Sequence, residues 1–167
     1  MKLGFYYHIP LRNKNGQLFA PSYLGISLEE LAKNVSELVV VYHAASGKDL
    51  EEADFEIKGT NIKGLDLGPK TAAWHRSFFP SSTLKNKLKE VELCDAFLIR
   101  SPSPLAAAFK KYLNHPQCFF MIVGDYAEGA KQLGSKGLKN QLLQWYFNAT
   151  DKQFKKHFPS TSLFVNS

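Results

Sequence analysis

Four short stretches hold the residues best suited to chemistry, and each closes an apolar run. Tyr7-His8 ends the run from Leu3 to Ile9, and His43 follows Leu38 to Tyr42. Arg100-Ser101-Pro102-Ser103 follows Ala96 to Ile99, and Gly124-Asp125 follows Phe119 to Val123. Arg100 is the sharpest single residue. An arginine leaving a buried strand beside a helix N-terminus can hold a phosphate or a carboxylate. It can equally pair with Asp125, and the two roles are compatible. Asp125 can accept sugar hydroxyls or cap the turn that follows. Ser101 and Ser103 lack a Gly-x-Ser-x-Gly elbow and read as a turn and a helix cap, not as nucleophiles. His8, next to a long loop, is the acid/base candidate, with His43 the second. Two histidines and one aspartate from separate strands lack the local spacing of a metal site, so no metal is expected. Gly16, in the loop after the first run, is the glycine able to approach a phosphate. No Gly-x-x-x-x-Gly-Lys-Ser/Thr and no Gly-x-Gly-x-x-Gly is present, which argues against a P-loop enzyme and a standard dinucleotide site.

The elements that must position these residues alternate between strand and helix. Leu3 to Ile9 and the β-branched run Leu38 to Tyr42 suit strands buried on both faces. Between them, Pro10 to Tyr23 reads as a long polar loop. Ser27-Leu28-Glu29-Glu30 reads as a capping box opening a helix with Leu28, Leu31, Ala32 and Val35 on one face. Asp54 to Lys58 and Ile62 to Leu67 suggest short strands around Gly59. Thr83 is a candidate cap for a basic helix with Leu84, Leu88 and Val91 inward.

Ala96 to Ile99, then Ser103-Pro104 opening a helix with Leu105, Ala108, Phe109 and Tyr112 inward, then Phe119 to Val123, make a strand-helix-strand unit. Such a unit implies parallel pairing with a right-handed crossover. Ser162 to Val165 reads as a last strand. The expected fold is a Rossmann-like three-layer α/β/α domain with a mostly parallel sheet, spanning residues 1–167 as one domain. In such sheets ligands sit at the carboxyl ends of the strands. That rule places Tyr7-His8, Arg100 and Gly124-Asp125 on one shared edge.

Composition narrows the setting. The 167 residues are 44% hydrophobic and 22% charged, enough for one real core and unlike a disordered chain. Met1 to Phe5 leads straight into a strand, without the apolar stretch and cleavage site of a signal peptide. No segment reaches the ~20 apolar residues of a membrane span. A cytoplasmic protein is expected, with Cys94 and Cys118 as reduced core thiols. The net charge of +6 admits an anionic partner: nucleotide-sugar, phospholipid headgroup or nucleic acid. The lysines lie mostly on outward helix faces. A solvated surface explains them first, and peripheral contact at the inner membrane face second. The aromatics fall on core stripes and not on a basic stacking platform, so no nucleic acid is expected.

The order of elements resembles the N-terminal domain of GT-B fold glycosyltransferases of the family 4 type. Four places carry the likeness: Leu3 to Pro10 with the Gly16 loop, Cys94 to Pro104, Met121 to Tyr126, and Leu163 to Ser167. The family's glycine pair in the first loop is absent, with only Gly16 and the distant Gly25 in its place. The resemblance implies two Rossmann-like domains flanking a cleft, with the acceptor held chiefly by the N-terminal one and the nucleotide-sugar by the C-terminal one.

On that basis the chain is expected to be the acceptor-binding half of a transferase. His8 would be the catalytic candidate, and Gly16, Arg100, Ser101, Ser103, Gly124 and Asp125 would bind substrate. The partners would be a nucleotide-sugar donor, a saccharide or lipid-linked acceptor, and a covalently linked C-terminal domain, with no separate cofactor. The alternative is a stand-alone Rossmann- or flavodoxin-like module binding a nucleotide or another anionic ligand.

Overall fold

A computed structural model describes residues 1–71, 82–101 and 117–122, with Ser103, Leu105, Ala108, Phe109, Tyr112 and Leu113, a few positions between 141 and 152, and 163–165. The main sheet contains β1 (Lys2–Tyr6), β4 (Glu37–Ala44), β6 (Ile62–Pro69), β7 (Ala96–Ser101), β8 (Cys118–Ile122) and β9 (Leu163–Val165). Its six strands lie in the order β6-β4-β1-β7-β8-β9, and every neighbouring pair is parallel. This is the doubly wound order in which the chain builds outward from β1 in one direction and then in the other. The parallel, Rossmann-like expectation holds.

The sheet is buried on both faces, which is why its strands read as continuous apolar runs and not as alternating ones. Leu3, Phe5, Leu38, Val40, Tyr42 and Ala96 face one core. Tyr6, Val39, Val41, Phe97 and Ile99 face the other. The first core is covered by α1 (Ser22–Ala32) through Leu24, Leu28 and Ala32. The second is covered by α3 (Ser82–Val91) through Leu84, Leu88 and Val91, and by Leu105, Ala108, Phe109 and Leu113. Burying a leucine is worth about 1.5–3 kcal/mol, so Leu24 and Leu28 outweigh the propensity differences within α1. Among the described residues no helix is long and apolar enough to cross a membrane.

The region after β1 departs from the sequence reading. Pro10 to Tyr23 is not a loop. It holds β2 (Arg12–Lys14) and β3 (Gln17–Ala20), an antiparallel hairpin turning at Asn15-Gly16. Both turn residues have positive φ, 53° and 88°, which suits an Asn-Gly two-residue turn. The Gly16 amide also donates to Asn13 Oδ1 at 2.9 Å.

The segment near Asp54 supplies β5 (Phe55–Glu56), which pairs with β3 and not with the main sheet. With only the four-residue α2 (Asp49–Glu52) between β4 and β5, this small sheet helps cover the β4–β6 half of the face. Gly64 makes room for it: a Cβ there would meet Leu18 at 3.0 Å and Tyr42 at 2.9 Å.

Helix α1 begins at Ser22, ahead of the capping box expected at Ser27. Ser27 lies inside the helix, where its hydroxyl donates to the Tyr23 carbonyl at 2.8 Å, a back-bond that competes with capping. Pro21 occupies the N-cap position, and its carbonyl accepts from Leu24 and Gly25. At the other end Asn61 Nδ2 donates to the carbonyls of Ala32 and Val35, satisfying groups that the helix leaves open.

Candidate functional site

The direction of strand growth reverses between β1 and β7, and in open parallel sheets the crevice at the carboxyl end of that point is the favoured ligand site. Register fixes what lies there. Tyr6 is opposite Ile99, so the next pair along the two parallel strands is Tyr7 and Arg100. The Arg100 guanidinium carbon lies 4.6 Å from the Tyr7 ring centroid. That is a cation–π contact, worth about 0.5–2 kcal/mol depending on how dry the site is. The Tyr7 ring in turn meets the His8 ring edge-on, with centroids 4.5 Å apart.

Arg100 Nε is buried and has no hydrogen-bond partner among the described residues. None of the ion pairs among those residues involves Arg100. The guanidinium is therefore held over the Tyr7 ring, while its Nε donor is left without a partner among the described residues.

Tyr23, in the first turn of α1, belongs to this neighbourhood. Burial pushes its phenol pKa above the usual value, and the Tyr7 phenol adds to the rise. Arg100 acts against the rise, and Glu52 reinforces it more weakly. The ring remains half exposed, at 54%. Two tyrosines, an imidazole and one guanidinium thus lie near one another at this edge of the sheet.

Strand alternation separates residues that are adjacent in sequence. Arg100 falls on the α1 side with Tyr7. Ser101 shares the parity of Phe97 and Ile99 and faces the opposite core. Ser101 is 2% exposed, and its hydroxyl has no hydrogen-bond partner among the described residues. Ser103 is buried, and its hydroxyl accepts the Leu105 N–H at 3.2 Å, the capping role expected from its position.

His43 also lies on the second side. It is buried, with Nδ1 3.4 Å from the Gly68 carbonyl and its ring edge-on to Tyr6 at 6.5 Å. Tyr6 continues this aromatic stack onto Phe109 at 4.7 Å. His43 is thereby built into the core beneath the rim, whereas His8 stands at the rim itself.

The structure brings together Tyr7, His8 and Arg100, with Ser101 on the opposite side of the sheet and Ser103 buried as a cap. Gly16 sits at an exposed hairpin turn, with nothing within 4 Å of where a Cβ would be. Gly124 and Asp125 lie outside the described residues, although β8, which leads toward them, runs parallel to β7 with Ser101 opposite Ile122. Sequence reasoning misses Tyr23 as a site residue, because a capping box at Ser27 would start the helix beyond it. The available signal is Pro21-Ser22 immediately ahead of Leu24, Leu28 and Ala32. Among the described residues no group of three His, Cys, Asp or Glu side chains could hold a metal ion.

Searches of family models, curated proteins and solved structures found no match to this chain.

Proposed function

We propose that this chain is the acceptor-side domain of a two-domain, GT-B-type glycosyltransferase, and that the crevice between β1 and β7 is its acceptor cleft. One observation carries the reading. At the switch point of a doubly wound parallel sheet, an arginine is stacked on Tyr7 with its Nε buried and uncommitted among the described residues, beside a histidine. Arg100 would bind and orient the acceptor, and His8 stands where it can exchange a proton with an acceptor hydroxyl. The nucleotide-sugar would be held by a second domain that these residues do not include. The acceptor would be a saccharide or a lipid-linked saccharide.

Sugar transfer is the test. The full-length protein is incubated with a panel of nucleotide-sugars and saccharide or lipid-linked acceptors, alongside Arg100→Ala and His8→Ala. The expected result is transfer by the wild type and a loss of at least about tenfold in each variant with the fold intact, the usual scale for losing a charge-assisted contact or a proton-transfer group. Absence of transfer with every pair, together with tight binding of a free nucleotide, would move the chain to a stand-alone binding module using the same crevice.

A further inference from the structure

We propose that this crevice selects a negatively charged sugar unit, one carrying a carboxylate or a phosphate, and that Arg100 reads the charge. The inference rests on the acceptor-side reading and narrows its substrate class.

The reasoning starts from the unused donors. A guanidinium offers five N–H groups in a rigid fork, and Nε with one terminal nitrogen presents two parallel donors that match an oxyanion. In this structure the guanidinium carbon lies over the Tyr7 ring, 4.6 Å from its centroid, which helps hold the head group in place. Nε is nevertheless buried and unpaired among the described residues. Leaving a charged donor buried and unpaired is costly, and the usual resolution is an anionic partner.

The described surroundings supply no such anion. Tyr7, His8 and Tyr23 bring no carboxylate, and none of the described ion pairs involves Arg100. Tyr23 in particular is held protonated by its partial burial and by Tyr7. Glu52 is the acid felt at Tyr23, and it acts there less than Arg100 does. The half-exposed Tyr23 ring adds an apolar wall of the kind on which a sugar ring can lie. A charged group on one side of a ring and an aromatic face on the other describe an acidic monosaccharide better than a neutral one. The competing partner is Asp125, which the sequence places after the neighbouring strand.

The experiment measures binding of four probes to the full-length protein by ligand-observed NMR: methyl glucuronide against methyl glucoside, and glucose 6-phosphate against glucose. The wild type is expected to bind one or both acidic probes roughly 10- to 100-fold more tightly than their neutral counterparts, the scale of a charge-assisted bidentate contact. The carboxylate and phosphate arms show which anion is preferred. Arg100→Gln should erase the preference, bringing the acidic probes down to the affinity of their neutral counterparts. Arg100→Lys, which keeps the charge, should retain only part of it. Tyr23→Ala should weaken acidic and neutral probes alike.

Equal binding of acidic and neutral probes by the wild type, no binding of any probe, or a preference that survives Arg100→Gln would each overturn the proposal. So would an Asp125→Asn variant that loses as much stability as Arg100→Gln, with no further loss in the double variant and no acid preference in the wild type. Acid preference without any sugar transfer would keep this inference and remove the acceptor-side reading. Sugar transfer that is lost in Arg100→Ala, with no acid preference in the wild type, would do the reverse.

Discussion

Replacing Gly4 by alanine should destabilise the fold even though alanine is the better residue for an ordinary strand. Gly4 is in the middle of β1, paired with Val39 on one side and Phe97 on the other. A Cβ there would lie 2.5 Å from Phe97 Cδ2, 3.2 Å from Cε2 and 3.4 Å from Cys94 Sγ. The closest approach is roughly 1 Å short of the ~3.5–4.0 Å optimum for two carbons. Phe97 has nowhere convenient to go: it is fully buried and packed edge-on against Phe109 at 5.3 Å.

Inserting a methyl into such a place costs about 1–3 kcal/mol, and replacing glycine returns about 0.4–1 kcal/mol through the unfolded chain. The net loss centres on about 1–2 kcal/mol by these figures. For a chain of this size that lowers Tm by about 2–8 °C. Urea and thermal unfolding of Gly4→Ala, Phe97→Leu and the double variant supply the readout. The double variant should be less destabilised than the sum of the singles, because the smaller side chain relieves the overlap. A Gly4→Ala protein as stable as wild type, or more so, would refute the packing argument.

Three further outcomes follow from the same structure. Gly16→Ala should lose about 1 kcal/mol, because its φ of 88° strains any L-residue, while leaving ligand affinity unchanged. Weakened ligand binding at unchanged Tm would instead return Gly16 to the site. Glu37 bridges Lys2 and Lys63 at 2.8 and 2.5 Å, and its hydrogen bonds to these lysines hold its carboxyl pKa below the usual value. A depressed carboxylate pKa stabilises above the unfolded value and ceases to as pH falls through the folded one. Tm of Glu37→Gln should therefore lie below wild type at neutral pH and converge with it in acid, and a gap that persists below the carboxylate range would contradict this. Because Arg100 lowers the Tyr23 phenol pKa against the rise from burial, Arg100→Gln should push that pKa further up in a phenolate titration followed by ultraviolet absorbance. A fall would place Tyr23 away from Arg100.

Much of the main sheet was legible because double-sided burial writes itself as unbroken apolar runs. No polar residue interrupts Leu38 to Tyr42, and the same holds for Ala96 to Ile99. The Ser103 cap and the Leu84, Leu88 and Val91 stripe were equally plain, since local chemistry specifies each. What was hidden depends on contacts between distant segments. The residues from Arg12 to Ala20 are polar enough to pass for a loop, and only their packing against Tyr42 and Gly64 shows them as part of a covering sheet. The Asn15-Gly16 dipeptide was the available hairpin signal. The Tyr7–Arg100 stack needs the strand order itself, since nothing local to either residue says that β1 and β7 are neighbours. The alternation that sends Arg100 and Ser101 to opposite faces follows from period two, yet the direction of each becomes known only once the two cores are identified.

The placement of β1 at the centre of the sheet also bears on how the chain is made. Its second flank is closed by β7, and the Lys2 amide bonds to Asp95 across 93 residues. At ~5–20 residues per second, ribosomal synthesis leaves that flank open for on the order of 5–20 s. During this interval Leu3, Phe5 and Tyr6 form an apolar ribbon with one unsatisfied edge, a natural client for a holdase. Arg100 meets Tyr7 only when that wait is over, so the crevice is a late product of biogenesis.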